Sequence, residues 1–150
     1  PTLAADLRVF RAAGSVAFAA RARGGATGES APWYDRFYVG GLYTVRGYPS
    51  QSLSGPGGET RFWSASIELR APIVGRPEEP RLAAIAFVDA GDAWSVDEAV
   101  SLNDVAVGIG WGIRLRVPWI GWLGVDAARP LSESPVHEGF HGNASIGMTF

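Results

Sequence analysis

The chain has 150 residues, a net charge of −2 and no cysteine. The lack of cysteine excludes disulfides, thiolate metal sites and cysteine nucleophiles, and the charge gives no basis for sequence-independent binding to nucleic acid. Apolar residues make up 47% of the chain, yet no run approaches the roughly 18 apolar residues that indicate a membrane-spanning helix. A chain that is apolar overall but never continuously so is typical of alternating β-strands.

Alternation with a period of two predicts seven strands. They cover residues 3–10, 15–23, 63–72, 81–90, 105–117, 123–128 and 140–150. Pro72 is expected to end the third strand, because proline cannot donate a hydrogen bond to a ladder, and residues 75–80 are expected to form a compact turn. The fourth strand carries apolar residues on both sides, so we expect both of its faces to be covered.

The connections between these strands alternate between short and long. Bacterial outer-membrane barrels have short periplasmic turns, long external loops and aromatic girdles at the strand ends. Aromatic residues occur at strand ends here, at Trp63, Trp94, Trp119, Trp122, Phe140 and Phe150. The sequence therefore predicts an all-β fold, an antiparallel transmembrane β-barrel in a bacterial outer membrane, with its C terminus on the periplasmic side. A soluble β-sandwich is the alternative.

Seven strands are too few for a complete single-chain bacterial barrel, which needs an even number of at least about eight. We therefore expect the chain to be part of a larger barrel, or to gain strands by assembly. No secretory signal precedes the first strand, as expected if a signal was cleaved or if the sequence is a fragment.

A long segment rich in glycine, proline and serine separates the second and third strands, over residues 24–60. It is far longer than the usual connection between strands, and its aromatic residues argue against disorder. Its stretch FYVGGLYTVRGY, residues 37–48, places Arg46 beside Gly47. The backbone can turn sharply there while the guanidinium reaches outward. We expect this loop to fold back onto the rest of the chain.

Several stretches from residue 37 onward resemble one family, in that family's order and spacing. They are FYVGGLYTVRGY, SIELRAP, AFVDAGDAW, GIGWGIRLRVPW, LGVDAARPL and the last strand, which ends in Phe150. The chain resembles the C-terminal half of the barrel of the outer-membrane assembly factors, the BamA and TamA relatives also known as bacterial surface antigen proteins. The resemblance implies that residues 1–150 are the C-terminal part of a sixteen-stranded barrel, without its N-terminal half and without any periplasmic POTRA domains.

The resemblance also implies that the long loop lies in the barrel lumen, where the arginine of its RGY motif meets acidic residues of the wall. Carried over by motif, these residues are Arg46, Glu68 and Asp89. Both carboxylates fall on strand faces that the alternation assigns inward, and a guanidinium can bridge two carboxylates. The remaining predicted residues of the loop site are Gly40, Gly41, Gly47 and Tyr48. The alternative is a solvated Arg46, since many surface ion pairs contribute little.

The last strand has a second role implied by the resemblance. It would serve as the signal for insertion, and its edge would form a weak seam that can open and template an incoming strand. The residues concerned are Phe140, Ile146, Met148 and Phe150. The alternative is that the last strand of any barrel needs lipid-facing residues.

These features predict insertion, assembly or translocation of outer-membrane proteins without catalysis or a cofactor. The expected partners are outer-membrane lipid, unfolded outer-membrane or secreted client proteins, and accessory lipoproteins or periplasmic domains, with no nucleic acid. Two alternatives stay open. One is a two-partner secretion transporter, and the other is a passive pore that favours anions. The arginines that would line such a pore are Arg21, Arg23, Arg70, Arg114 and Arg116.

Catalytic and metal sites have weak support. The candidate catalytic group consists of Ser132, Ser134, His137 and His141, with Asp126 nearby. No GxSxG elbow surrounds either serine, and closeness in sequence is poor evidence for a triad. His137, Glu138 and His141 have the spacing of a helical metal site, but this segment enters a strand, so we expect no metal there.

Overall fold

The computed structural model of the chain describes residues 1–98, 101, 104–132 and 139–147. These residues form one antiparallel sheet of seven strands, in which each strand pairs with its neighbours in sequence. The strands are β1 (Leu3–Ala13), β2 (Val16–Ala26), β3 (Arg61–Arg76), β4 (Glu79–Trp94), β5 (Ala106–Val117), β6 (Gly121–Pro130) and β7 (His141–Ile146). The prediction of an all-β antiparallel fold is confirmed.

Helical structure is minor in the described part of the chain. A short 3-10 turn covers Trp33–Asp35. No helix among the described residues has the length and apolar character needed to cross a membrane.

The two faces of the sheet differ in chemistry, because successive side chains of a strand point to opposite sides. One face carries large apolar side chains that stay exposed, such as Ile67, Trp111 and Val125. The other, which we name the inner face, is covered by the long loop and holds buried polar or charged side chains. Those on its strands are Ser64, Glu68, Asp89, Arg114 and Asp126. An apolar outer side and a polar inner side fit strands that separate lipid from a lumen.

The described sheet is open at both edges, since β1 and β7 each pair on one side only. All residues of β1 are exposed. In hydrocarbon, unpaired backbone N–H and C=O groups are too costly to remain at a strand edge. Further strands are therefore needed to pair both edges within a membrane, and the total of sixteen stays a prediction.

The prediction that Pro72 ends its strand is wrong, because β3 continues to Arg76. The pairing of β3 with β4 shifts register between Pro72 and Val74 and again between Val74 and Gly75. Such bulges accommodate a residue that cannot donate to the ladder. The compact turn expected over residues 75–80 is consequently only the two residues between β3 and β4.

The expectation that both faces of β4 are covered is also wrong for the described residues. Ile85 and Phe87 are buried on the inner face, whereas Val88 on the opposite face is 42% exposed. The outer side of β4 therefore has the same exposed apolar character as its neighbours.

The long loop spans residues 27–60, because β2 continues to Ala26 and β3 begins at Arg61. Loop residues Val39, Val45 and Tyr48 form a buried cluster with Phe62 and Ala106 of the sheet. This cluster seats the loop on the inner face through apolar contact, which is the main source of favourable free energy for such packing.

The loop also holds its own shape through internal hydrogen bonds. Phe37 and Glu59 pair as an isolated antiparallel bridge, with N–H···O distances of 2.9 Å in both directions. The N–H of Leu53 donates to the carbonyl of Val39 at 3.0 Å. The loop is therefore folded, and it brings a defined surface to the sheet.

Candidate functional site

Arg46 lies between the loop and the strands and is 2% exposed. Its Nε and Nη2 donate to the two carboxylate oxygens of Asp89, at 2.7 and 2.9 Å. Its backbone N–H also donates to Asp89, at 3.0 Å. Nη1 donates to Glu68 at 3.1 Å, and Nη2 donates to the hydroxyl of Ser66 at 3.2 Å. The structure thus brings Arg46 together with both carboxylates that the sequence assigned to it.

The charged network extends beyond these residues. Nε of Arg70 donates to Glu68 at 2.6 Å. Both terminal nitrogens of Arg114 donate to Asp126, and one oxygen of Asp126 lies 3.7 Å from Nη1 of Arg46. Three arginines therefore face three carboxylates. The formal charges of this network, which we name the arginine–carboxylate network, cancel.

Sequence reasoning missed the roles of Arg114 and Asp126. It treated Arg114 as a pore-lining residue and considered Asp126 only as a neighbour of the candidate catalytic group. Their inward alternation was visible in the sequence, but their pairing depends on the register of β5 with β6, in which Gly112 lies opposite Asp126 and Arg114 opposite Gly124. Only the register shows that the two side chains are diagonal neighbours.

The Phe87 ring completes the surroundings of Arg46. The guanidinium carbon of Arg46 lies 3.3 Å from the ring centroid, and a cation over an aromatic face gains most when water is excluded. Phe87 itself is 3% exposed. The ring thus stabilises the one loop cation of the network.

Burial of this many charges is favourable only when each is paired and hydrogen-bonded. Burial on its own disfavours the charged form of Arg46, but the hydrogen bond to Asp89 and the charges of Asp89, Glu68 and Asp126 outweigh it and raise the pKa of this loop residue. Arg46 therefore remains a cation while it is docked.

Glycines of β5 provide the space in which the loop and the network fit. A Cβ atom on Gly108 would overlap the carbonyl oxygen of Arg46, and one on Gly112 would overlap the carboxylate of Asp126. On Gly110, a Cβ would come within 2.5 Å of the Phe87 ring. Glycine therefore alternates along the inner face of β5 because the loop backbone, the Asp126 carboxylate and the Phe87 ring lie too close to it to leave room for side chains.

The glycines of the loop motif allow its turns. Gly47 has φ of +98°, and a Cβ atom there would lie 2.8 Å from the carbonyl carbon of Arg129 in β6. Gly40 and Gly41 also have positive φ, at +113° and +91°. The N–H of Gly41 donates to the carbonyl of Val45 at 3.1 Å, which closes the turn that leads into Arg46.

Tyr48 links the loop motif to the start of β5 and to the residues that follow β6. Its hydroxyl lies 3.3 Å from the carbonyl oxygen of Val107 and 3.5 Å from that of Ser132. The hydroxyl of Ser132 donates to the carbonyl of Val105 at 2.9 Å and accepts the N–H of Val107 at 2.8 Å. The hydroxyl of Ser132 therefore ties the residues after β6 to the start of β5, and these two hydrogen bonds occupy it.

The other residues of the catalytic and metal hypotheses fall largely outside the described part of the chain. Ser134, His137 and Glu138 are not among the described residues, and Asp126 is occupied by Arg114. Among the described residues no group of histidine and acidic side chains is suited to hold a metal ion.

Two of the four predicted seam residues are described. Phe140 and Ile146 are 65% and 77% exposed, and Ile146 pairs with Leu123 at the end of β7 where the short turns lie. Met148 and Phe150 lie outside the described residues. The exposed apolar residues at both ends of β7 suit a strand that faces lipid.

Comparisons with known proteins agree with this architecture. The family model of the Omp85 superfamily domain matches residues 2–150. The solved structure of BamA from Haemophilus ducreyi lacking POTRA domains 1–3 is similar at a TM-score of 0.76 and 18% identity. The match covers 96% of this chain and 35% of that one, so the chain spans about a third of its length. A comparison with curated proteins gives no match. Because the family model covers almost the whole chain and the open sheet has the fold of part of a BamA barrel, the chain belongs to the Omp85 superfamily.

Proposed function

We propose that this chain is the C-terminal part of an outer-membrane β-barrel that inserts, assembles or translocates other polypeptides. Membership of the Omp85 superfamily supports this class of function. The observation that carries the proposal is the docking of Arg46, which reaches Glu68 of β3, Asp89 of β4 and Asp126 of β6. One loop residue thereby ties three strands of the wall together.

The arginine–carboxylate network gives the wall an uneven stiffness. Its six charged groups lie on the loop and on β3 to β6, and none lies on β7. Movement of β7 as its free edge opens would therefore not separate a pair of this network. A braced wall beside an edge strand is suited to opening at that edge.

The proposed mechanism uses no covalent chemistry. The barrel opens at the seam next to β7, and the last strand of a client adds to the free edge by backbone pairing. Local thinning of the bilayer then lowers the cost of insertion. The partners are outer-membrane lipid and unfolded client proteins, and accessory lipoproteins or periplasmic domains would act beside this segment.

A transporter of the two-partner secretion type is the second candidate. In that function a polypeptide passes through the lumen, so the loop must leave the inner face. The buried cluster of Val39, Val45 and Tyr48 and the network at Arg46 both resist that movement. A passive anion pore meets the same obstacle, and Arg70 and Arg114 are already paired with carboxylates.

Two reversible tethers in the full-length protein separate these functions. The first is a disulfide between Ala144→Cys on β7 and a cysteine on the strand that faces it across the seam. The second joins Val45→Cys to Ala106→Cys, which replace residues of one buried cluster and fix the loop to the wall. Client insertion into liposomes and channel conductance are measured before and after reduction.

We expect the seam tether to stop client insertion until it is reduced, and the loop tether to leave insertion intact. Insertion that continues with the seam closed would overturn the lateral mechanism. Loss of transport with the loop tether alone would favour passage through the lumen.

A further inference from the structure

A small cavity of about 20 Å³ lies between the long loop and the strands on which the loop is docked. Its lining comes from β2, β3, β4 and the loop itself, and neither β1 nor β7, the edge strands of the described sheet, contributes to it. A volume of about 10–15 Å³ is enough for one water molecule. The space beneath the loop is therefore large enough for one water molecule or one small ion.

Positive charge exceeds negative charge in the lining of this cavity. The charged residues of the lining are Arg21, Arg23, Arg46 and Asp89. Arg46 and Asp89 are paired with each other. Arg21 is paired with Asp6, and the same carboxylate also serves Arg8. The positive charge that remains at the cavity is that of Arg23.

Arg23 has little compensation from the described part of the chain. No described carboxylate forms an ion pair with it. Its Nη1 donates to the carbonyl of Tyr43 at 3.3 Å, and its guanidinium carbon lies 5.7 Å from the centroid of the Phe62 ring. A guanidinium carries several further N–H donors. Because Arg23 is partly buried, these donors need partners that replace the water they have lost.

Two hydroxyl groups add donors to the same cavity, those of Thr44 and Ser64. The Thr44 oxygen accepts the N–H of Gly40 at 2.8 Å, which leaves its hydrogen available to donate. Ser64 is 5% exposed, and its hydroxyl has no hydrogen-bond partner among the described residues. Both oxygens of Asp89 already accept hydrogen bonds from Arg46. The cavity is therefore rich in donors and poor in free acceptors, as an anion site requires.

We propose that this cavity binds a monovalent inorganic anion, chloride, held by Arg23 of β2 and the hydroxyls of Thr44 and Ser64. The charged groups of the arginine–carboxylate network lie on the loop and on β3 to β6, so the bound anion adds a tie between the loop and β2. A water molecule in the same space would leave the charge of Arg23 uncompensated. The proposal does not depend on the barrel inserting or transporting proteins.

Elastase cleavage after Val39, which is 0% exposed, tests the site in the full-length protein in detergent. Chloride replaces gluconate, a bulky monovalent anion, at constant ionic strength, so that screening of the other ion pairs does not change. We expect the rate of cleavage to fall as chloride rises. Chloride at about ten times its dissociation constant lowers the undocked population roughly tenfold if it binds only the docked loop.

Substitutions assign the effect of chloride to this cavity. Arg23→Gln removes the charge, so its cleavage rate should not respond to chloride. Arg61→Gln is the matched control, because Arg61 is a strand arginine outside the lining and its loss should leave the full response. Ser64→Ala removes one donor and should raise the chloride concentration at half-effect a few-fold. Crystals of the unaltered protein soaked in bromide keep the test valid if Arg23→Gln does not fold, since bromide at the site gives an anomalous signal.

Three results would overturn the proposal. These are cleavage of the unaltered protein that does not respond to chloride, an equal response in folded Arg23→Gln, or no bromide between Arg23 and Ser64 in the soaked crystal. A response that Arg23→Gln loses and Arg61→Gln keeps, together with bromide at the cavity, supports it. None of these measurements involves client insertion, so their outcome is separate from that of the tether experiments.

Discussion

Replacing Arg46 by methionine keeps a long side chain but removes the charge that holds the loop in place. In the variant, Glu68 still has Arg70 as a partner. Asp89 loses both guanidinium bonds, at 2.7 and 2.9 Å, and keeps the hydroxyl of Ser66 and one backbone N–H. Because Asp89 is 1% exposed, water cannot replace what it loses. Asp89 is therefore the group whose charge becomes uncompensated.

The magnitude follows from that geometry. A hydrogen bond to a charged group contributes about 1.5–3 kcal/mol, and Arg46→Met removes two such bonds to Asp89 and one to Glu68. The contributions are not additive, because the protein can relax. Removal of one partner from a buried ion pair costs about 3–5 kcal/mol, and we expect a loss of unfolding free energy in that range.

Two measurements check this prediction in the full-length protein. Equilibrium unfolding in denaturant gives the change in stability. Elastase cleavage after Val39, which is 0% exposed, reports whether the loop leaves the inner face. Arg61→Met is the matched control, since Arg61 is an exposed strand arginine whose replacement should change stability by less than about 0.5 kcal/mol.

A second substitution identifies the physical origin of the loss. Asp89→Asn in the Arg46→Met background removes the uncompensated charge and should recover at least about 1 kcal/mol. The reasoning is refuted if Arg46→Met unfolds within about 1 kcal/mol of the unaltered protein with its loop still protected. No recovery in the double variant would show that the loss does not arise from a buried charge.

Two further substitutions test the fit of the loop against β5. Gly108→Ala should displace the loop and cost about 1–3 kcal/mol, because its methyl group would overlap the carbonyl oxygen of Arg46. Cleavage by elastase after Val39 measures the displacement. Gly142→Ala is its control, since nothing lies within 4 Å of an added Cβ there, and equal protection in both variants would contradict the close-approach argument. Tyr48→Phe should cost about 1 kcal/mol of unfolding free energy, because it removes the hydroxyl that contacts the carbonyl of Val107 at 3.3 Å; an unchanged denaturation midpoint would show that the contact contributes nothing.

Strand order and face assignment could be read from the sequence, because side chains in a strand alternate with a period of two. That rule placed Glu68 and Asp89 on the inner face, where both are buried. It failed at Pro72, since a bulge lets β3 continue to Arg76, and a bulge depends on pairing with the neighbouring strand. Alternation of side chains is a local property of one strand, whereas a register shift depends on the strand with which it pairs.

The pairing of Arg46 with Glu68 and Asp89 came from the resemblance to a family, with inward alternation as independent support. The extension of the network to Arg114 and Asp126 depended on the register of β5 with β6, which no single strand encodes.

The sequence by itself determined that this chain forms half-apolar strands and a long folded loop that carries Arg46 beside Gly47. Only the tertiary structure decided that Arg114 and Asp126 belong to the same network as Arg46, because their contacts depend on the register of β5 with β6. It also decided why glycine stands at positions 108 and 112, where the loop carbonyl and the Asp126 carboxylate occupy the space of a side chain. The alternation of side chains follows from the geometry of a single strand. The pairing of charges and the close contacts at the glycines depend on how the loop and the separate strands pack together.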